Sequence, residues 1–219
     1  MERHFHTELK ELKQSAYQMG QQVQTALQKS LASLFDRNAN LAQAVVDEDA
    51  ILNQMEIEID RKGHNLSALG QPVAQDLRLI TSLLKINTDL ERIGDHCVNI
   101  AERVLLIMEE PPLESKSDLP AMATLTAKMF SDALQSFSSE DPQTAQALLE
   151  RDDEIDSLND SLFFDFEELM EKKPEYVRVC MNLIMVAHNL ERIADLTNNI
   201  AENIIYLKLG KEVRHHSES

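Results

Sequence analysis

The sequence predicts an all-α protein made of two tandem three-helix bundles, six long helices related by an internal repeat, and three observations carry that prediction. Apolar residues make up 43% of the 219 positions while Gly and Pro number only five and six, so the chain has few helix breakers for its length. Apolar residues recur at alternating spacings of three and four over long stretches, the period of helices with one buried face. The stretch Leu90-Glu91-Arg92-Ile93-Gly94-Asp95-His96-Cys97-Val98-Asn99-Ile100-Ala101-Glu102 returns 100 positions later as Leu190-Glu191-Arg192-Ile193-Ala194-Asp195-Leu196-Thr197-Asn198-Asn199-Ile200-Ala201-Glu202, the same at nine of thirteen positions.

Phe5, Leu9, Leu12, Ala16, Met19, Val23 and Ala26, continued by Leu27, Leu31 and Leu34, give a first helix over about 4–36, which Asp36-Arg37-Asn38 breaks. The second carries Leu41, Val45, Leu52, Met55 and Ile59 inward, with Glu48 interrupting the stripe. It ends at Leu69-Gly70-Gln71-Pro72, because Gly suits a helix C-terminus and Pro cannot continue a helix. The third, over about 74–109, has the seam Leu79, Leu83, Ile86, Leu90, Ile93, Cys97, Ile100 and Val104, spaced four and three without a fault. Pro111-Pro112 and the polar run to Asp118 form a linker, 111–118, between a first bundle at 1–110 and a second at 119–210.

The second half repeats this plan. Met122, Leu125, Met129, Ala133 and Phe137 mark a fourth helix. Asp141-Pro142 reads as an N-cap with Pro at the first helical position, opening a fifth helix with Leu148, Ile155, Leu158 and Leu162 inward. Lys173-Pro174 separates it from a sixth, whose seam runs Tyr176, Val179, Leu183, Val186, Leu190, Ile193, Thr197, Ile200 and Ile204 to Gly210, leaving a frayed tail at 211–219. Ala42-x-Ala44-Val45-Val46 and Asp49 recur as Ala145-x-Ala147-Leu148-Leu149 and Asp152 at an offset of 103, which places a connection three residues longer in the first half. A repeat of this length is too long for a solenoid and fits two bundles.

The net charge of −17 repels nucleic-acid phosphates and anionic lipid headgroups, which argues against direct DNA, RNA or polybasic membrane docking and favours metal cations and basic protein surfaces. Cys97 and Cys180 have no Cys-x-x-Cys spacing and read as apolar core residues of a reducing compartment. The polar start, Met1-Glu2-Arg3-His4, and the absence of a long apolar run lead to the expectation of a cytoplasmic chain without signal peptide or membrane span. There is no Gly-rich phosphate loop and no Ser/His/Asp or Cys/His arrangement, so neither nucleotide binding nor an enzyme is expected.

Each copy of the repeat carries Glu-x-x-x-Asp-x-x-x-Asn, residues that stack on one helix face roughly 6 Å apart along the axis. With Leu90 at heptad position a and Ile93 at d, Glu91, Asp95 and Asn99 fall at b, f and c, facing away from the bundle core, as do Glu191, Asp195 and Asn199. A solvated helix face carries such residues too. Against that plain reading, the identities recur in both halves, Glu and Asp four apart repel each other on a helix, and Asn is a poor helix former. Asp49, Asn53, Glu56 and Asp60 make a stripe on the second helix, and Asp152, Asp156 and Asn159 make one on the fifth; both are equally consistent with solvated faces and with further ligands. Oxygen-only sites suit hard cations such as Mg, Ca, Mn or ferric iron. His96 reads as a packed or solvated histidine, and His188, one turn before Glu191, is placed to join the site. Glu212-x-x-His215 has di-iron spacing but stands alone in the tail, and Met19, Met55, Met122, Met129 and Met181 read as core.

Leu90-Glu91-Arg92-Ile93-Gly94-Asp95 and Leu190-Glu191-Arg192-Ile193-Ala194-Asp195, with Gln71-Pro72-x-Ala74-x-Asp76-Leu77-Arg78 upstream, resemble the PhoU family of accessory regulators of phosphate-specific transport, over nearly the whole chain. The resemblance implies a fold of two three-helix bundles. It also implies a negative regulator of phosphate uptake and the phosphate-starvation response, a homodimer that bridges the transporter's ATPase and a sensor histidine kinase. It implies multinuclear iron or zinc, with Ni a further candidate, on Glu91, Asp95, Glu191 and Asp195. Ala194 in place of Gly94 is a harmless departure, whereas Asn53 in place of Asp156 reduces the ligands of the first half. Two other functions compete. A ferritin-like carboxylate-bridged enzyme or store needs ligands inside a four-helix core, but here the carboxylates lie off the seam and the helices fall in threes. A metal-free helical scaffold differs only in leaving the stripes unoccupied.

Overall fold

A computed structural model describes residues 2–69, 72–110, 112, 113, 117–211 and 213. Gly70 and Gln71, Pro111, the linker residues 114–116 and the Glu212-x-x-His215 spacing lie outside the described residues. Among those described, the secondary structure is helical: α1 (Glu2–Phe35), α2 (Ala39–Leu69), α3 (Ala74–Met108), α4 (Leu119–Ser139), α5 (Pro142–Leu148), α6 (Asp152–Lys172) and α7 (Val177–Leu209), with single 3₁₀ turns at Leu149–Arg151 and Pro174–Tyr176.

Local chemistry sets the helix ends. Arg37 takes the left-handed conformation between α1 and α2, and its guanidinium donates to the carbonyls of Ile107 (3.2 Å) and Glu110 (2.8 Å), satisfying groups at the end of α3. Asn38 caps α2 by accepting from the Leu41 amide at 3.1 Å. Asp141 caps α5 by accepting from Gln143, with Pro142 at the first helical position. Glu140, in the left-handed conformation after α4, pairs with both Lys13 of α1 and Lys208 of α7, tying three helices at one point.

α1, α2 and α3 pack as one bundle; α4, α5–α6 and α7 form the other. The core is continuous between them because α3 packs along α7 and α1 along α4. Glu110 pairs with Arg178 at 3.0 Å, His96 reaches Asn189 at 2.8 Å, and Asp89 bonds Asn199, so α3 and α7 run antiparallel. Both helices are therefore buried on two faces, one toward their own bundle and one toward each other.

The repeat is visible in matched contacts. Lys29 of α1 pairs with Glu48 of α2 at 2.6 Å, and at the equivalent place Asp132 of α4 pairs with Arg151 at 2.7 Å, with the charges exchanged. Two expectations are corrected. The fifth helix is interrupted by the turn at Leu149–Arg151, where Asp152, Asp153 and Glu154 fill the first turn of α6, and acids favour a helix start there. The three-residue difference between the halves lies, as expected, in the connection: α2 ends at Leu69 and α3 begins at Ala74, whereas Lys173 alone separates α6 from the 3₁₀ turn Pro174–Tyr176 that runs directly into α7. Met181 is half exposed at 52%, whereas Met19, Met122 and Met129 are fully buried, because Met181 lies on the solvent side of α7.

Candidate functional site: two carboxylate grooves

The α2/α3 groove brings together Asp49 and Glu56 from α2 with Glu91 and Asp95 from α3. The Glu91 carboxyl is held above its usual range by burial, then by the charges of Asp95, Glu56 and Asp49. Burial followed by Asp49 raises Asp95. Asn53 donates its amide to Asp49 Oδ2 at 2.8 Å, while Asp49 Oδ1 is buried without a partner. Asn53 therefore orients a carboxylate here instead of adding one. Gly94 sits opposite α2, where a Cβ would come within 2.9 Å of the end of Leu52; its absence lets the two helices close on the groove.

The α6/α7 groove repeats the frame with Asp156 from α6 and Glu191 and Asp195 from α7. Glu191 is raised by burial and then by Asp195; Asp156 is raised by burial and then by Asp195, Asp153 and Asp160. His188 Nδ1 stands 3.3 Å from Glu191 Oε2, and Arg192 pairs with Asp195 at 3.0 Å. Asp152 opens α6 one turn before Asp156 and is half-buried.

The predicted residues divide accordingly. The structure draws Glu91, Asp95 and Asp49 together, and Glu191, Asp195 and Asp156 together. They line grooves between paired helices at the bundle surface: Asp95 and Asp156 are exposed, as an outward-facing position requires, while Glu91, Asp49, Glu191 and Asp195 are partly covered by the neighbouring helix. The asparagines do not join them as a third rung: Asn99 is exposed on α3, and Asn199 bonds the Asp89 carboxylate across the α3/α7 contact. Among the described residues, no three His, Cys, Asp or Glu side chains are arranged so that they could hold a metal ion as they stand. The donor types fit a hard cation all the same: they are carboxylates that repel one another, with a buried oxygen of Asp49 left unpaired.

Two polar residues escaped the sequence reading. Asp89, 8% exposed, faces Arg92 and Lys85 of its own helix and Asn199 and Glu202 of α7, and burial pushes its carboxyl up to about 6. Its heptad position, g, is the one His96 also occupies. Asn198, in place of Val98, is fully buried with neither side-chain atom partnered.

Comparison with known proteins finds the PhoU domain twice in this chain, over residues 16–104 and 119–204, each copy carrying one groove. The chain belongs to the PhoU family. It is 38% identical over 208 residues to the phosphate-specific transport system accessory protein PhoU homolog of Aquifex aeolicus (strain VF5), covering 95% of this chain and 94% of that one. It is 31% identical over 219 residues to the PhoU homolog 2 of Thermotoga maritima, covering 100% of this chain and 93% of the relative. Among solved structures, PhoU from Pseudomonas aeruginosa superposes with a TM-score of 0.90 at 32% identity, covering 94% of this chain and all of that one. The phosphate transport system regulatory protein PhoU from Streptococcus pneumoniae gives 0.89 at 30%, covering 96% and 99%. All-α architecture and the tandem repeat are thus common to the sequence reading, the fold and these relatives.

Proposed function

We propose that this protein is an accessory protein of a phosphate-specific transport system, a negative regulator of phosphate uptake and the phosphate-starvation response. It acts as an adaptor between the transporter's ATPase and a sensor histidine kinase, with metal ions at its two carboxylate grooves. The observation that carries the reading is the doubled PhoU domain over most of the chain, together with relatives named as accessory proteins of phosphate-specific transport. No helix among the described residues is long and apolar enough to cross a membrane, so in this reading the protein reaches the transporter through a cytoplasmic partner surface.

In the first half Glu91, Asp95 and Asp49 would hold the metal; in the second, Glu191, Asp195 and Asp156, with Asp152 and His188 beside them. A bound iron, zinc or other cation supplies positive charge that the carboxylates lack among themselves. The chain's own residues keep the groove negative, orient Asp49 through Asn53, and pin Asp195 through Arg192. Deletion of the protein should leave phosphate-starvation genes on in phosphate-rich medium; normal repression in the deletion strain overturns the regulatory reading. Separately, metal content per purified chain should fall when Glu91, Asp95, Glu191 and Asp195 are all replaced by Ala. Metal that persists in the variant overturns these four residues as ligands, and a parent chain that purifies without metal and takes none up supports the metal-free scaffold.

A further inference from the structure

We propose that the groove between α6 and α7 docks a basic amphipathic helix of a partner protein, its apolar side chains seated on Phe163 and Met185 and its cations on the α6 carboxylates outside the metal-ligand set, Asp160 and Asp153. The inference rests on the adaptor reading and names the surface through which it would work.

The observations are specific to the second half. Val177, Met181 and Met185 stand on successive turns of α7 and are 40%, 52% and 37% exposed. Phe163 of α6, half exposed, forms with Ile184 and Met185 a cavity of about 210 Å³ that Asp160 and His188 border. That is smaller than the roughly 300–1,000 Å³ of small-molecule sites and is sized for the side chains of a docking segment. Phe164 stacks edge-on against Phe163 and is 65% exposed. Methionine adapts its shape to an incoming apolar face.

The charge around the strip selects the occupant. Asp160 borders the cavity itself and, with Asp153, lies close to Asp156, so the apolar floor is flanked by α6 carboxylates beyond those that would hold a metal. A second copy of this chain would set one acidic groove against another on molecules of charge −17, which is repulsive. A helix with leucines on one face and lysines or arginines along its edge satisfies both parts. The equivalent positions of the first half carry Leu77, Thr81 and Lys85 on α3 and Asp60 on α2, so the frame is repeated but the apolar strip is not.

The test uses the full chain and a fluorescent synthetic helix of leucine and lysine, with a leucine and glutamate version as the charge control. The lysine peptide should bind saturably and shift the Met181 and Met185 methyl resonances while leaving Met19, Met122 and Met129 in place. Phe163→Asp combined with Met185→Lys, both at exposed positions and neutral in total charge, should weaken it about tenfold or more. Ile57→Asp combined with Leu77→Lys, the same charge change on exposed residues of the first half, should leave it as it was. Equal binding by both double variants, or equal binding of the glutamate peptide, overturns the proposal. So does a concentration-dependent dimer that the Phe163/Met185 variant abolishes, which would assign the strip to a second copy. Peptide binding is read in vitro and the regulatory assignment in the deletion strain, so either can fail without the other.

Discussion

In the groove of the first half, Asn53 turns its amide onto Asp49, whereas the second half has Asp156 at that place, a carboxylate facing Asp195. Beside the first groove Gly94 admits Leu52 and Val98 lines the helix contact; beside the second stand Ala194 and the unpartnered Asn198. Where α3 meets α7, the pseudo-equivalent residues are Asp89, raised by burial, and Asn189, which accepts from His96 and donates to the Met185 carbonyl. The apolar seams of α3 and α7 hold the same frame in both halves, so these differences lie almost wholly at polar positions. A duplicated helical scaffold tolerates divergence where side chains meet a groove or the other half, because the seam alone fixes where the helices run.

The comparison is broken most strongly by making Asp89 like its counterpart. The folded protein raises this carboxyl from 3.8 to about 6, so it binds the proton more tightly than the unfolded chain does. The favourable contribution of the protonated acid is complete below 3.8 and is lost as pH rises through about 6. Asp89→Asn should therefore stabilise the protein at pH 7, by an amount on the order of 2–3 kcal/mol at most, and the gain should vanish toward pH 4. Chemical denaturation at the two pH values checks this; an equal effect at both would mean that packing, not charge, sets the difference.

Asn198→Val copies the first half into the second and removes a buried amide without partners. Stability should rise by about 1–2 kcal/mol, since an unsatisfied buried polar group costs roughly that much. A fall in the melting temperature would show that the amide is satisfied in solution.

Next in size is the exchanged ion pair. Lys29→Asp alone places like charges against Glu48 and should cost about 1 kcal/mol, while Lys29→Asp with Glu48→Arg, which reproduces Asp132–Arg151, should restore the parent within about 0.5 kcal/mol. A double-mutant cycle measures the coupling, and its absence would undo the equivalence of the two contacts.

The smallest effect is expected for Gly94→Ala, which makes the first motif match Ala194. The added carbon meets only the flexible end of Leu52, and Ala favours the helix, so the net change should stay within about 1 kcal/mol. A larger loss in thermal unfolding would show that Leu52 cannot turn aside.

The chain order alone determined the helices, their seams and the doubling, because the period of apolar residues and the placement of Pro, Asn and Asp at turns are local facts. Leu90, Ile93, Ile193 and Ile200 are buried where the spacing put them, and Glu91 and Asp95 share a face because four residues make about one turn. What faces what was decided only by tertiary packing. A single seam gives each helix one buried face, but α3 and α7 have two, which is why Asp89 is buried at a position that looks solvated and why Asn199 points to the other half. The pairing of Asp49 with Glu91 and of Asp156 with Asp195 depends on which side α2 and α6 take, a choice that periodicity leaves open. Met181 fails for the same physical reason: helical spacing marks a face of α7, but only the neighbouring helices determine whether that face is covered.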